Sequence, residues 1–228
     1  MSAVKYLYIL CEGERDEMFY ERLCERITGQ TYLQPTDLRV RQGSNWRTAM
    51  AEAKLLINRF THWKEPQEVA VIIAVDNDRA PGHPGSEISH CRPLPPLDLK
   101  KPSRYSALTE MLEKALGPDR SEWPVDVALA MPVEMIESWL LVLLNPQCPE
   151  LPLFSEAGQA LPKLYYGGNP PPQLKDLRDL EAKKLNLNLD ELFYHAADKG
   201  NLGGLAERSP SFELFRRDLE IWRTFDLI

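Results

Sequence analysis

The run Val69-Ala70-Val71-Ile72-Ile73-Ala74-Val75-Asp76-Asn77-Asp78 decides how the rest of the chain is read. Seven apolar residues, most of them β-branched, are followed at once by two aspartates one residue apart. A short, unbroken, β-branched run is the pattern of a strand buried on both faces, as in a parallel sheet. Ligands of open α/β sheets gather outside the carboxyl ends of the strands, and Asp76 and Asp78 fall at such an end. Residues at i and i+2 share a face of a strand, so both carboxylates can address one site. Two such charges side by side repel; either one protonates, or a divalent cation with oxygen ligands relieves the conflict. The alternative is a solvated loop after a core strand, with Asp76 capping the following turn.

Outward from this strand, the pattern alternates. Residues 4–11 are apolar, β-branched and aromatic, which predicts a first strand ending at Glu12-Gly13. Phe19, Leu23 and Ile27 recur at helical spacing over 14–27, with acids in the first turn and Gly29 as the stop. Residues 38–42 read as a short alternating strand, and 46–60 as a second helix through Ala49, Ala53, Leu56 and Phe60. After the central strand comes a proline-rich loop over 79–102, which reads as a flap leaving directly from the Asp-x-Asp. A helix over 103–116, a strand over 125–131 stopped by Pro132, and a nearly all-apolar helix over 134–144 follow. This order predicts an α/β domain over 1–145: a mostly parallel, four-stranded, Rossmann-like sheet with helices on both faces. Residues 146–228 read as a proline-rich linker and then short helices near 175–184, 190–197 and 212–225. They form a C-terminal helical extension packed on the core.

Composition narrows the function classes. With 43% hydrophobic and 27% charged residues the chain is expected to be globular, and 228 residues allow one large domain or a core with an appendage. A protein that grips DNA through phosphate contacts alone is usually basic, whereas this chain carries a net charge of -7. A nucleic-acid substrate therefore requires metal ions, a local positive surface or a second protein. Cys11, Cys24, Cys91 and Cys148 form no C-x-x-C pair, so neither a zinc site nor a disulfide framework is expected. No signal peptide is recognisable and the longest apolar run is too short to span a bilayer, so a cytoplasmic protein without membrane contact is expected.

Three predicted strand ends carry acids. Glu12 follows the first strand, Asp76 and Asp78 the third, and Glu134 and Glu137 the fourth. Glu134 and Glu137 stand at i and i+3, on one helix face. Glu137 lies among Ile136, Trp139 and Leu140, where a carboxylate needs a partner, either a metal or an arginine such as Arg79 or Arg104. Asp16 follows Glu12 by about one helical turn, so both can face one point.

This arrangement resembles the TOPRIM family of type IA topoisomerases, DnaG-type primases and OLD-family nucleases. In that family a glutamate follows the first strand in a Glu-Gly-x-x-acid motif, here Glu12-Gly13-Glu14-Arg15-Asp16, and an Asp-x-Asp follows a later strand, here Asp76-Asn77-Asp78. The likeness covers roughly residues 4–144 and is greatest to small stand-alone TOPRIM proteins of the DUF4276 and OLD-like kind. Ile136-Glu137-Ser138-Trp139-Leu140 is similar to their Ile-Glu-Ala-Trp-Leu segment, and Asp198-Lys199-Gly200 with Ser209-Pro210-Ser211-Phe212 to their C-terminal region. The resemblance implies metal-dependent phosphodiester hydrolysis by a nuclease. One Mg²⁺ or Mn²⁺ ion would be held by Glu12, Asp76 and Asp78, and a second by Asp16 with Glu134 or Glu137. Gly13, Arg15 and Arg79, beside these acids, would contact the substrate. The family's lysine from beyond the core matches Lys199 best by position, with Lys183 and Lys184 as rivals. A separately encoded ATPase of the ABC/SMC-like kind, a role in phage defence and a homodimer are further implications.

Two other classes remain at this point. A TOPRIM-fold scaffold or sensor subunit would keep the fold while another chain acts. A Mn²⁺-dependent nucleotide-sugar transferase would use the Asp-x-Asp under a diphosphate, with no need for Glu12-Gly13.

Overall fold

The structure, a computed structural model, describes residues 5–11, 13–34, 46–60, 69–76, 104–117, 119–123, 125–132, 135–145 and 174–224. Within them three strands, β1 (Tyr6–Leu10), β2 (Val69–Ala74) and β3 (Asp126–Ala130), form a parallel sheet in the order β1-β2-β3. The register aligns Ile9, Ile72 and Ala128 across the sheet. Every residue of β2 is buried, as the unbroken apolar run predicts for a central parallel strand.

Alternation along the strands divides the core into two layers. Tyr8, Leu10, Val71, Ile73, Val127 and Leu129 face one side, where Ala53 and Leu56 of α2 (Trp46–Phe60) and Leu112 of α3 (Arg104–Leu116) cover them. Leu7, Ile9, Ala70, Ile72, Ala128 and Ala130 face the other. That side is covered by α1 (Glu14–Thr28) and α4 (Glu137–Leu144), each of which follows a strand at its carboxyl end. The C-terminal helices α5 (Leu174–Leu185), α6 (Leu189–Lys199), α7 (Leu202–Arg208) and α8 (Pro210–Thr224) contribute to this same apolar cluster.

Trp139 of α4 is the hub of that cluster. Tyr20, Phe212 and Phe215 lie 6.1, 5.2 and 5.6 Å from it between ring centroids, and its indole N–H donates to Ser211 Oγ at 2.8 Å. Three arginines of α1 bind α6 alongside it. Arg15 pairs with Asp190 at 2.6 Å, Arg22 with Asp198, and Arg26 donates to the Ala197 and Gly200 carbonyls. The two helices therefore run in the same direction.

Several expectations need amendment. The predicted strand over 38–42 lies outside the described residues. β1's outer edge instead meets Leu33, through hydrogen bonds from Leu7 N–H to Leu33 O and from Leu33 N–H to Lys5 O, both 3.0 Å. The helix predicted from residue 134 is observed from Glu137, preceded by a turn at Met135 and Ile136. Helix α7 was not expected, because Gly203-Gly204 weakens helix propensity; Asn201 caps it by accepting from Gly204 N–H at 2.9 Å. Helix α8 begins earlier than its apolar stripe suggests. Ser209 accepts from Phe212 N–H at 3.1 Å and Pro210 fills the first helical position, a start signal readable in Ser209-Pro210. Among the described residues no helix is long and apolar enough to cross a membrane.

Gly200 closes α6 against α4. A Cβ there would overlap the Ala196 carbonyl oxygen and come within 2.7 Å of Leu143 Cβ. Gly200→Ala is therefore expected to destabilise the fold by about 1–3 kcal/mol through overpacking, read from urea denaturation. Gly203→Ala, whose Cβ would meet only Asn201 Oδ1 at 3.6 Å, should be neutral or slightly stabilising.

Candidate functional site

The sheet's carboxyl edge is where the sequence places the acids, and the described residues bring part of the set together. Gly13 is extended, with φ -147° and ψ 159°, and serves as N-cap of α1. That backbone is open to any residue; its carbonyl accepts from Glu17 N–H at 3.2 Å and from Cys11 Sγ at 3.2 Å.

Asp16 lies in the first turn of α1, half-buried. Its carboxyl is pushed up from an aspartate's ordinary 3.8 to about 6, first by burial and next by the charge of Glu137. A backbone hydrogen bond from Gly13 and the nearby charges of Arg15 and Lys175 act against that rise. Two carboxylates from helices that start beside opposite edge strands thus share one electrostatic environment. Asp76 follows the central strand between them. Val75 N–H still donates to Ala130 O at 2.9 Å, so the ladder persists to that point. The alternation of Ala70, Ile72 and Ala74 assigns Asp76 to the face that carries α1 and α4.

Glu137 opens α4 and is 4% exposed. Its carboxylate accepts from Arg178 Nη1 at 2.7 Å, and the same guanidinium also binds Asp179. The expected need for a partner is met by an arginine of α5, Arg178. Arg178 was not among the residues picked from the sequence, nor was Lys175, one turn earlier on the same helix. Their signal was present but faint: two cations at i and i+3, interleaved with Leu174 and Leu177, both buried.

The cations named from the sequence that fall among the described residues lie as follows. Lys199 is 70% exposed and pairs with Asp198 at 2.7 Å. Asp198 is bound to Arg22, two helical turns along α1 from Arg15 and on the order of 10 Å further from the strand ends. Lys199 thus stands at the opposite end of α6 from Asp190, the residue that meets Arg15 beside Asp16. Lys183 and Lys184 close the far end of α5, where Lys184 pairs with Glu181 at 2.6 Å. Arg15 is engaged by Asp190 and stacks 5.8 Å over Phe193, so its guanidinium braces α6. Glu12, Asp78, Arg79 and Glu134 lie outside the described residues. Among the described residues no three His, Cys, Asp or Glu side chains form a metal-sized cluster.

Chemically the edge offers oxygen donors of the kind hard divalent cations take, with one carboxyl held in an unfavourable charged state. That fits a cation: bound beside Asp16, it would favour the ionised form. Comparisons of the chain with protein-family models, with curated proteins and with solved structures find no match.

The raised Asp16 carboxyl has a consequence for stability. Unfolded, it ionises near 3.8; folded, near 6. The folded state holds the extra proton between those values, so stability falls as pH rises through that window, and the penalty is complete above about 6. In chelator, Asp16→Asn should raise the urea midpoint at pH 8 relative to the parent and lose that advantage near pH 4. Glu137→Gln, by removing the like charge, should lower the Asp16 titration midpoint in a carboxyl ¹³C NMR titration.

Proposed function

We propose that the chain is a divalent-metal-dependent nuclease of the TOPRIM, OLD-like kind, cleaving phosphodiester bonds with Mg²⁺ or Mn²⁺. The observation that carries this reading is the convergence at one sheet edge. Asp16 and Glu137 lie close enough for the charge of Glu137 to raise the Asp16 pKa, on helices that flank a central strand ending at Ala74, two residues before Asp76. Glu12, Asp76 and Asp78 would hold the first ion, and Asp16 would serve the second. Bound metal would supply an activated water and stabilise the leaving oxygen. The chain's own residues would do the rest. The Gly13 amide and the first turn of α1 orient Asp16, Arg178 holds the Glu137 side chain in place, and exposed Lys175 offers a positive charge to a phosphate oxygen. In this reading Lys175 takes the role that position alone suggested for Lys199. A nucleic-acid substrate, a partner ATPase, a homodimer and a place in phage defence belong to the same proposal.

Nicking of supercoiled plasmid with and without Mn²⁺ tests it. The parent should nick only with metal. Asp16→Asn, Asp76→Asn and Glu12→Gln should each lower the rate by about 100-fold or more, the scale of losing one electrostatic stabiliser of the transition state. Lys175→Ala should lower it less. A parent that neither nicks nor binds Mn²⁺ by calorimetry would remove the nuclease assignment. The reading of a non-catalytic scaffold would then stand, favoured by one observation: Arg178 already gives Glu137 the positive partner a metal would supply.

A further inference from the structure

We propose that the cavity between the start of β3 and α8 binds a neutral, planar heteroaromatic ring that carries N–H donors, the chemistry of an amino-substituted nucleobase. The cavity measures about 420 Å³. Small-molecule sites run from roughly 300 to 1,000 Å³. It lies where the turn Arg120–Glu122 after α3, the first residues of β3 and the last turns of α8 meet. Two indoles, Trp123 and Trp222, form its walls with Ile221; Arg120, Asp126 and Asp218 are its charged members. Both indoles are buried, whereas Ile221 is 50% exposed and marks the mouth.

The walls are fixed before any ligand arrives. Trp123 donates its indole N–H to the Gly117 carbonyl at 2.9 Å, and the Arg120 guanidinium stands 5.3 Å from its ring centroid. Trp222 packs edge-to-face with Tyr32, their centroids 6.5 Å apart, and Lys5 Nζ stands 6.0 Å from its ring. Aromatic surface presented by locked side chains suits a flat ligand, because little side-chain freedom is lost on binding.

Charge disfavours an ionic ligand. Lys5 pairs with Asp126 and Arg120 with Asp218, each at 2.8 Å, so the four groups balance. A cationic ring would meet indoles that already carry a cation apiece, and an anionic one would meet two carboxylates. Hydrogen bonding then sets the polarity of a neutral ring. Lys5, Arg120 and Trp123 direct donors to Asp126, Asp218 and the Gly117 carbonyl. A carboxylate has about four acceptor sites, and the Asp126 side chain, 30% exposed, is the more accessible of the two. The wall therefore offers acceptors, and its complement is a ring with N–H donors. The exocyclic amines of adenine, guanine and cytosine are such donors. Asp126 opens β3, about 13 Å along the strand from the edge that gathers the acids. The cavity is thus separate from the candidate site and does not depend on the proposed function. A free nucleoside and a base swung out of a nucleic-acid strand present the same ring.

Titration of the full chain with adenosine, followed through the indole N–H signals by ¹H–¹⁵N NMR, tests this. The expected result is a saturable shift of the Trp123 and Trp222 signals, with that of Trp139, held by Ser211, unmoved. N6,N6-dimethyladenosine keeps the ring but lacks the amine N–H, and should bind at least about tenfold more weakly. Trp123→Leu keeps an apolar wall without the aromatic face and should weaken adenosine binding similarly. If that variant melts early, the comparison of the two nucleosides decides alone. Tighter binding of single-stranded oligo-dA than of adenosine assigns the cavity to a base of a strand; weaker binding assigns it to a free nucleoside. The proposal is overturned by the absence of a saturable shift, by a shift confined to other indoles, by equal affinity for the two nucleosides, or by unchanged affinity in folded Trp123→Leu.

Discussion

Burial of β2 on both faces is the constraint on which the rest of the structure depends. A strand with no wet face needs a hydrogen-bonded neighbour along each edge and an apolar layer above and below. β1 and β3 supply the edges, α2 and α3 one layer, and α1, α4 and the C-terminal helices the other. The first carboxylate beyond the buried run is Asp76, so a charge must emerge at the rim just where α1 and α4 begin. The positions of the acids follow from where the apolar run stops.

The C-terminal helices complete that rim electrically. Arg178 and Lys175 reach the acids from α5, held in place because α5 packs on α4 and α6 is bound along α1 by Arg15, Arg22 and Arg26. Breaking the Arg178–Glu137 pair from the arginine side would leave a buried carboxylate uncompensated, at a cost of about 3–5 kcal/mol. The chain is acidic as a whole, with a net charge of -7, yet α5 brings two cations, Lys175 and Arg178, to Asp16 and Glu137. Under the proposed function that is the local positive surface a phosphate requires.

What could be read in the sequence was whatever local periodicity encodes. The central strand, the stripe of Phe19, Leu23 and Ile27 on α1, and the stop at Gly29 (φ 72°) needed only neighbours a few residues away. The choice of partners across long separations could not be read in that way. Glu137 and Arg178 lie 41 residues apart, and no spacing rule distinguishes Arg178 from Arg79 or Arg104. Lys199 was favoured by motif position. The direction of α6, fixed by three arginines on a different helix, puts it at the end of α6 away from Asp16. Gly13, which the motif marks, has an extended backbone that any residue could adopt and serves as a helix cap.

The buried acids divide into two kinds, and the division bears on function. Glu137 has Arg178; Asp218, 5% exposed, has Arg120 and the Leu129 N–H. Both are satisfied within the chain, as carboxylates retained for structure usually are. Asp16 is different. Arg15, the residue before it, turns away to Asp190, Arg178 is committed to Glu137, and among the described residues no cation bonds to it. Burial and the neighbouring charge then hold it near 6, so that at neutral pH it carries a charge its surroundings oppose. A chain with 27 lysines and arginines has the means to neutralise one carboxylate. Strain of this sort concentrates at working sites, where a ligand relieves it. Under the proposed function the relief is a cation from outside the chain, and a cation carried on a phosphate substrate would meet that need at the moment of binding.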